Sequence, residues 1–154
     1  MATVEEVQAA LCRYVDTRAK IESLLERKER VLARAACKTP SYSPAGGSPK
    51  KGLRPDRIGD ALATVDEIES RLKALLTQQA EQYRFVDGWI SRPELEPLEK
   101  EILTWRYIVG AKWERIAKTL CTSEGACRYS RPQMFRTHAR ALEKLAALWD
   151  KKPY

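Results

Sequence analysis

The chain has 154 residues, of which 44% are hydrophobic and 32% are charged, and its formal net charge is +7. This balance is typical of a globular protein with one or two small domains. No apolar run approaches the ~20 residues that cross a bilayer, and we expect neither a membrane span nor a signal peptide. Positive charge collects in two places, because residues 38–57 carry five basic and one acidic side chain and residues 92–154 carry thirteen and eight.

Residues 1–91 contain two apolar seams in which the steps of three and four residues alternate, as in heptad repeats. The first seam comprises Val4, Val7, Leu11, Tyr14, Arg18, Ile21, Leu25, Lys28, Leu32 and Ala35. The second comprises Ile58, Ala61, Val65, Ile68, Leu72, Leu75, Gln79, Gln82, Val86 and Trp89. Two seams of matched length predict an antiparallel coiled-coil hairpin with arms of about 50 Å. We expect this hairpin to dock on the C-terminal domain or on a second copy of the chain.

Residues 38–55 join the two seams and contain four prolines, three glycines and three serines. This composition predicts a flexible loop. Lys50 and Lys51 lie near its end, where they are equally consistent with a DNA-backbone contact and with a solubilising charge.

Residues 92–154 are predicted to form three helices. The first covers residues 95–109, where one apolar face comprises Leu95, Leu98, Ile102, Trp105 and Val109, and Gly110 ends it. The second covers residues 113–120, with Trp113, Ile116, Ala117 and Leu120 facing inward. Two short helices joined in this way are typical of a helix-turn-helix.

The third helix is predicted to begin at Ser130, whose hydroxyl can cap its first turn while Gln133 completes a capping box. Between residues 125 and 140 there are four arginines and no acid, a pattern that favours a phosphate partner over a solvated face. Met134, Ala141, Leu142 and Leu145 are expected to face the core. Phe135 can reach a thymine methyl group or pack under the preceding turn, and we expect packing. The candidate DNA-binding residues are Arg128, Ser130, Arg131, Gln133, Arg136, Arg140, Lys50 and Lys51.

These residues resemble a known family. The pattern Leu95-x-x-Leu98-x-x-x-Ile102-x-x-x-Arg106-Tyr107, then Trp113-Glu-x-Ile-Ala117, then Ser130 through Leu145, resembles region 4 of the primary bacterial sigma factors. Small phage regulators of the ArpU and RinA type are similar in pattern. The resemblance implies that Arg131 and Arg136 lie at DNA-contacting positions, that Phe135 lies at another such position where a polar residue is usual, and that the protein contacts RNA polymerase. The chain departs from the pattern at residues 121–129, which lengthen the turn between the second and third helices.

Little in the sequence points to catalysis or to a metal. The single histidine, His138, lies on a helix beside leucines and is expected to be packed or hydrogen-bonded. Cys12, Cys37, Cys121 and Cys127 do not form a CxxC motif, and we expect neither zinc nor a disulfide. We therefore expect no enzymatic activity and no cofactor.

The sequence thus predicts an all-α protein with an N-terminal antiparallel coiled-coil hairpin (residues 1–91, with a basic loop at 38–55) and a C-terminal sigma region 4-like helix-turn-helix (residues 92–154). The expected function is sequence-specific binding of double-stranded promoter DNA in the cytoplasm of a bacterial host. RNA polymerase and a second copy, through the hairpin, are further expected partners. Two alternatives remain: a small terminase subunit that recognises packaging sites, and a module that binds RNA polymerase without DNA.

Overall fold

The structure, a computed structural model, describes residues 2–36, 57–120 and 129–149. Within these ranges the protein is all-helical and contains no strand, as the sequence predicts. The helices are α1 (Val4–Ala36), α2 (Arg57–Ile90), α3 (Pro97–Leu103), α4 (Trp113–Thr119) and α5 (Arg131–Leu148), with a π-helical turn at Thr104–Ile108 after α3. No helix in the described part is both long enough and apolar enough to cross a membrane. The predicted flexible loop at 38–55 lies outside the described residues.

The chain divides into two compact units, and this division differs from the predicted boundary after residue 91. Unit 1 consists of Met1–Ala19 and Thr77–Tyr154, and unit 2 consists of Lys20–Leu76. Each long helix therefore contributes one part to each unit. The physical reason is that the first turns of α1 and the last turns of α2 bury their apolar side chains in the same cluster as α5.

The larger core of unit 1 joins α1, α2, α3 and α5. Its fully buried members include Val7 and Leu11 of α1, Val86 and Trp89 of α2, and Leu145 of α5. Trp149, which follows α5, stacks on Trp89 with ring centroids 4.5 Å apart. The expectation that the hairpin helices dock on the C-terminal domain is thus met for the segments of α1 and α2 that belong to unit 1.

A second cluster in unit 1 joins α3, α4 and α5 through Ile102, Ala111, Ile116, Leu120 and Met134. The segment from α3 through the π-helical turn is buried on two sides, because Leu103 and Tyr107 belong to the first cluster while Ile102 belongs to the second. The prediction of a single apolar face was therefore incomplete, and Val109, assigned to that face, is partly exposed.

Gly110 ends the π-helical turn, as predicted for a C-terminal glycine. Its φ of 73° lies in the left-handed region, and the N–H of Ala111 donates to the carbonyl of Trp105 at 2.9 Å. A Cβ at Gly110 would lie 3.3 Å from a methyl group of Val15. Glycine is favoured here by both the backbone conformation and the close approach.

Unit 2 is held by a small cluster of Ile21, Ile68 and Leu72, against which Leu24 and Leu75 pack. An ion pair joins Lys28 to Glu69 at 2.5 Å. The assignment of Leu25 and Leu32 to the first seam was wrong, since both are exposed, and the neighbouring Leu24 and Val31 are more buried. The second seam was predicted more accurately, because all its members except Ile58 are buried or half-buried.

Four leucines of unit 2 remain about half exposed. We call this set the leucine face; it comprises Leu25, Leu32, Leu62 and Leu76, with exposed fractions of 46%, 43%, 56% and 52%. Each of them directly follows a half-buried residue of the seam: Leu24, Val31, Ala61 and Leu75.

Candidate nucleic-acid interface

The exposed side of α5 is the candidate interface, and its local sequence explains both where the helix begins and which side it buries. Ser130 has extended backbone dihedrals, and its hydroxyl accepts a hydrogen bond from the N–H of Gln133 at 3.4 Å. Proline at position 132 is compatible with the first turn, where N–H groups have no helical partner. The serine cap predicted from the sequence is confirmed.

The inward and outward positions of α5 agree with the prediction. Met134, Ala141, Leu142 and Leu145 are buried, and Arg131, Gln133, Arg136 and Arg140 are exposed. This separation follows from the helical period of the apolar residues. In the part of the chain that the structure describes, no carboxylate lies within 4.0 Å of the guanidinium groups of Arg131, Arg136 or Arg140. Arg128, Lys50 and Lys51 lie outside the described residues.

Two surface clefts flank the first turn of α5. One, of about 440 Å³, lies against α3 and is lined by Glu96, Gln133, Arg136 and Arg140 among others. The other, of about 460 Å³, lies against α4 and is lined by Lys118, Tyr129 and Arg131 among others. Lys118 was not among the predicted site residues, although it occupies an exposed position on the predicted second helix.

A buried ionic contact fixes α5 against α3. Glu99 is fully buried, and its Oε2 accepts hydrogen bonds from Lys144 Nζ and from the backbone N–H of Glu96, each at 2.8 Å. The hydrogen bond to Glu99 is the main cause that raises the pKa of Lys144. Within the described part of the chain, the other oxygen of Glu99 has no hydrogen-bond partner. Buried carboxylates are costly unless they are paired, so this contact constrains how α5 sits on α3.

The π-helical turn positions Arg106 between α3 and α4. Its Nη1 donates to the carbonyl of Ala111 at 3.1 Å, and its guanidinium carbon lies 5.3 Å from the centroid of the Trp113 ring. Arg106 therefore ties the end of α3 to the start of α4. Such π-helical turns are uncommon and occur often near functional sites.

Four aromatic side chains connect the core to the exposed side of α5. We call this series the aromatic series; it runs Tyr107, His138, Trp113, Phe135. The Tyr107 hydroxyl and His138 Nε2 are 2.9 Å apart, and their rings stack at 5.7 Å. The rings of His138 and Trp113 are 5.0 Å apart, and those of Trp113 and Phe135 are 4.7 Å apart.

The histidine in this series is held in its neutral form. Burial lowers the pKa of His138 to about 4, and the positive charge of Arg106 contributes to the decrease. Burial also raises the pKa of Tyr107, with a smaller contribution from Cys12. At neutral pH the tyrosine hydroxyl can therefore donate to the imidazole. The prediction that His138 is packed or hydrogen-bonded is confirmed, and the structure shows both.

Phe135 differs in part from its prediction. It packs on Trp113, but 47% of its surface is exposed, on the same helix as the exposed arginines. Residues 121–128, which include two of the four cysteines, lie outside the described part. Among the described residues there is no group of three or more histidine, cysteine or carboxylate side chains placed to hold a metal ion.

Comparison with protein-family models, with curated proteins and with solved structures finds no match to this chain.

Proposed function

We propose that the protein binds double-stranded DNA through α5 and acts as a sequence-specific, phage-type transcriptional regulator at promoter DNA. The observation that carries the proposal is the outer side of α5, where three exposed arginines have no described acidic partner while the inner side is fixed on two apolar clusters. The exposed side of α5 carries Arg131, Arg136 and Arg140 against one acid, Glu143, and a positive surface on a helix held by two clusters suits a polyanion. A contact with RNA polymerase is proposed from the sequence resemblance alone.

In this proposal α3, α4 and α5 form a helix-turn-helix in which α5 enters the major groove. The first turns of such a helix reach base edges, and flanking basic side chains hold phosphates. Gln133 and Arg136 are the proposed base contacts, because glutamine pairs with adenine and arginine with guanine through two hydrogen bonds each. Arg131 and Arg140, with Ser130 at the cap, are the proposed phosphate contacts.

The proposal is tested by selecting bound sites from random duplex DNA and comparing Arg136→Ala with wild type on the selected site and on a scrambled duplex. We expect a loss of about 1–3 kcal/mol on the selected site and a much smaller loss on the scrambled one. Arg84→Ala is the matched control, because it removes the same charge from an exposed arginine of unit 1 that lies on α2 and not on α5.

Each other outcome has a definite meaning. Equal losses on both duplexes would reduce Arg136 to a backbone contact, and binding of no duplex at low salt would leave a protein-binding module. Selected sites that map to a packaging locus, together with a ring in solution, would indicate a small terminase subunit. In that case promoter regulation would be wrong while DNA binding by α5 would stand.

We further propose that α1 and α2 pair as an antiparallel coiled-coil hairpin whose leucine face binds a second copy of the chain. Tyr14 of α1 contacts Tyr83 of α2, and Lys28 of α1 pairs with Glu69 of α2, so the partner number in α2 falls as the number in α1 rises, which supports the antiparallel order. In an antiparallel pair the residues that follow corresponding seam positions lie on one side of both helices. The four half-exposed leucines therefore lie on one side of the helix pair, and Glu69, which follows Ile68 of the seam, lies on that side as well.

The composition of the chain favours coverage of the leucine face by a second copy rather than by the segment that connects α1 to α2. Residues 37–56, which connect α1 to α2, contain two large apolar side chains, Tyr42 and Leu53, against four half-exposed leucines in the leucine face. The cluster of unit 2 is small for an independent unit, and a second copy would double the apolar burial. Dimers of helix-turn-helix proteins bind two half-sites, which fits the proposed DNA binding.

Sedimentation equilibrium tests this partner. We expect a dimer for wild type, a monomer for the Leu25→Lys, Leu76→Lys double variant, and an unchanged dimer for the matched Ala33→Lys, Ala74→Lys control. Ala33 and Ala74 are exposed on the same two helices but lie outside the leucine face. A monomeric wild type, or a control that dissociates equally, would contradict the proposed interface.

A further inference from the structure

Phe135 is an exposed aromatic side chain on a helix side that otherwise presents polar and small residues. It is 47% exposed, and the neighbouring Gln133 and Arg136 are exposed as well. Ala139, one turn further along α5, is also exposed. The exposed side of α5 therefore combines hydrogen-bonding groups with an apolar strip formed by Phe135 and Ala139.

The Phe135 ring is held in position by the aromatic series. Its neighbour Trp113 lies 4.7 Å away, and Trp113 in turn contacts His138 at 5.0 Å and Arg106 at 5.3 Å. His138 is hydrogen-bonded to Tyr107, which is 1% exposed. A ring supported in this way loses little conformational freedom when it meets a ligand, so the contact it makes is pre-organised.

The major groove offers one apolar group that such a ring can recognise. Each base pair presents hydrogen-bond donors and acceptors there, and only thymine adds a methyl group, which apolar side chains contact. A polar base edge placed against Phe135 would give up its hydrogen bonds to water, and the ring would offer no hydrogen bond in their place. Phe135 thus suits an A·T base pair beside the position read by Arg136, which is closer to it around the helix than Gln133 is, since Phe135 packs toward α4 on Trp113 and Gln133 lines the cleft on the α3 side.

We infer that Phe135 is a specificity-determining residue that contacts a thymine methyl group, so that the preferred DNA site contains a thymine next to the base pair contacted by Arg136. This inference rests on the proposed DNA binding by α5. It adds an apolar contact that the arginines and the glutamine do not supply. Ala139 extends the same apolar strip and leaves room for the methyl group.

The test replaces thymine by deoxyuridine, one position at a time, in the selected duplex, which removes only the methyl group. For wild type we expect one or two positions at which uracil weakens binding about fourfold, the equivalent of about 0.8 kcal/mol for one buried carbon. For Phe135→Ala we expect weaker binding to the thymine duplex and equal affinity for the thymine and uracil duplexes. Phe135→Leu keeps an apolar side chain and is expected to keep part of the discrimination.

The outcomes separate the inference from the function on which it rests. If wild type binds the selected duplex but tolerates uracil at every position, the inference is wrong and the proposed function stands. If uracil weakens Phe135→Ala as much as it weakens wild type, another residue contacts the methyl group and the inference is again wrong. If wild type binds no duplex, the proposed function fails as well. The uracil series on wild-type protein needs no variant, so poor folding of Phe135→Ala leaves the test intact.

Discussion

His138 makes the stability of the protein depend on pH in a calculable way. The pKa of its imidazole falls from the ordinary 6.5 to about 4, because burial and then the charge of Arg106 disfavour the protonated form. The unfolded chain therefore takes up a proton near pH 6.5 that the folded protein takes up only near pH 4. The stabilisation is fully present above about pH 7 and is lost as the pH falls toward 4.

The magnitude follows from the same two pKa values. A difference of one pKa unit corresponds to about 1.4 kcal/mol, so the full contribution is about 3 kcal/mol, of which about 2 kcal/mol is lost between pH 7 and pH 5. Over this interval most carboxylates stay ionised. Protonation would also remove the acceptor on Nε2 that faces the Tyr107 hydroxyl.

Urea unfolding at a series of pH values, followed by tryptophan fluorescence and circular dichroism, measures this loss. His138→Gln serves as the reference, since glutamine does not titrate and offers an oxygen to Tyr107. The chain has one histidine, so a single imidazole resonance in an NMR titration of tag-free protein reports the pKa directly. Equal losses of stability in wild type and His138→Gln between pH 7 and pH 5, or an imidazole that titrates near 6.5, would refute the reasoning.

Three further predictions concern stability. Leu72→Ala is expected to lower the free energy of unfolding by about 2–3 kcal/mol, near the low end for a buried leucine, while Ile58→Ala, at an exposed position outside the leucine face, should cost far less; equal effects in urea unfolding would contradict the observed seam. Gly110→Ala should cost about 1–2 kcal/mol because of its left-handed backbone, and an unchanged melting temperature would argue against that conformation. Lys144→Met should lower the melting temperature, and adding Glu99→Gln should restore most of it, because the buried carboxylate then no longer needs a cation; no recovery in the double variant would indicate that packing by Lys144 matters instead.

The seam of α1 shows where prediction from the sequence reaches its limit. Residues 24 and 25 are both leucine, and residues 31 and 32 are valine and leucine. Strict alternation of steps of three and four selects Leu25 and Leu32, whereas the structure buries Leu24 and Val31 more deeply, which requires two consecutive steps of three from Arg18 through Ile21 to Leu24. The choice between Leu24 and Leu25 depends on contacts with α2, which spacing within α1 does not encode. In α2 half of the seam residues are followed by a charged residue or glycine rather than by an apolar one, and the predicted members are buried or half-buried except Ile58.

The candidate interface was predicted better than the segment that supports it. Helix α5 has one apolar side and one polar side, so the spacing of its apolar residues is enough to place Met134 inward and Arg136 outward. The segment from α3 through the π-helical turn is buried on both sides, and its fully buried Glu99 reads in the sequence as an ordinary surface acid. The π-helical turn is wider than an α-helical turn by one residue, so it shifts the following side chains relative to the α-helical period. The spacing of apolar residues therefore does not predict it. Its role in bringing Arg106 and Tyr107 to α4 and α5 emerges only from the packing.

Contacts along its inner side determine which residues α5 presents outward. Near its start Met134 enters the cluster shared with α3 and α4, and near its end Leu145 enters the cluster shared with α1 and α2. Between them, His138 bonds to Tyr107, and Lys144 bonds to the buried Glu99. A rotation of α5 about its axis would break both polar contacts and expose both apolar ones. Recognition of base edges in the major groove requires side chains held within fractions of an ångström. The contacts that hold α5 in place, rather than the arginines alone, are therefore what would make DNA binding by this surface sequence-specific.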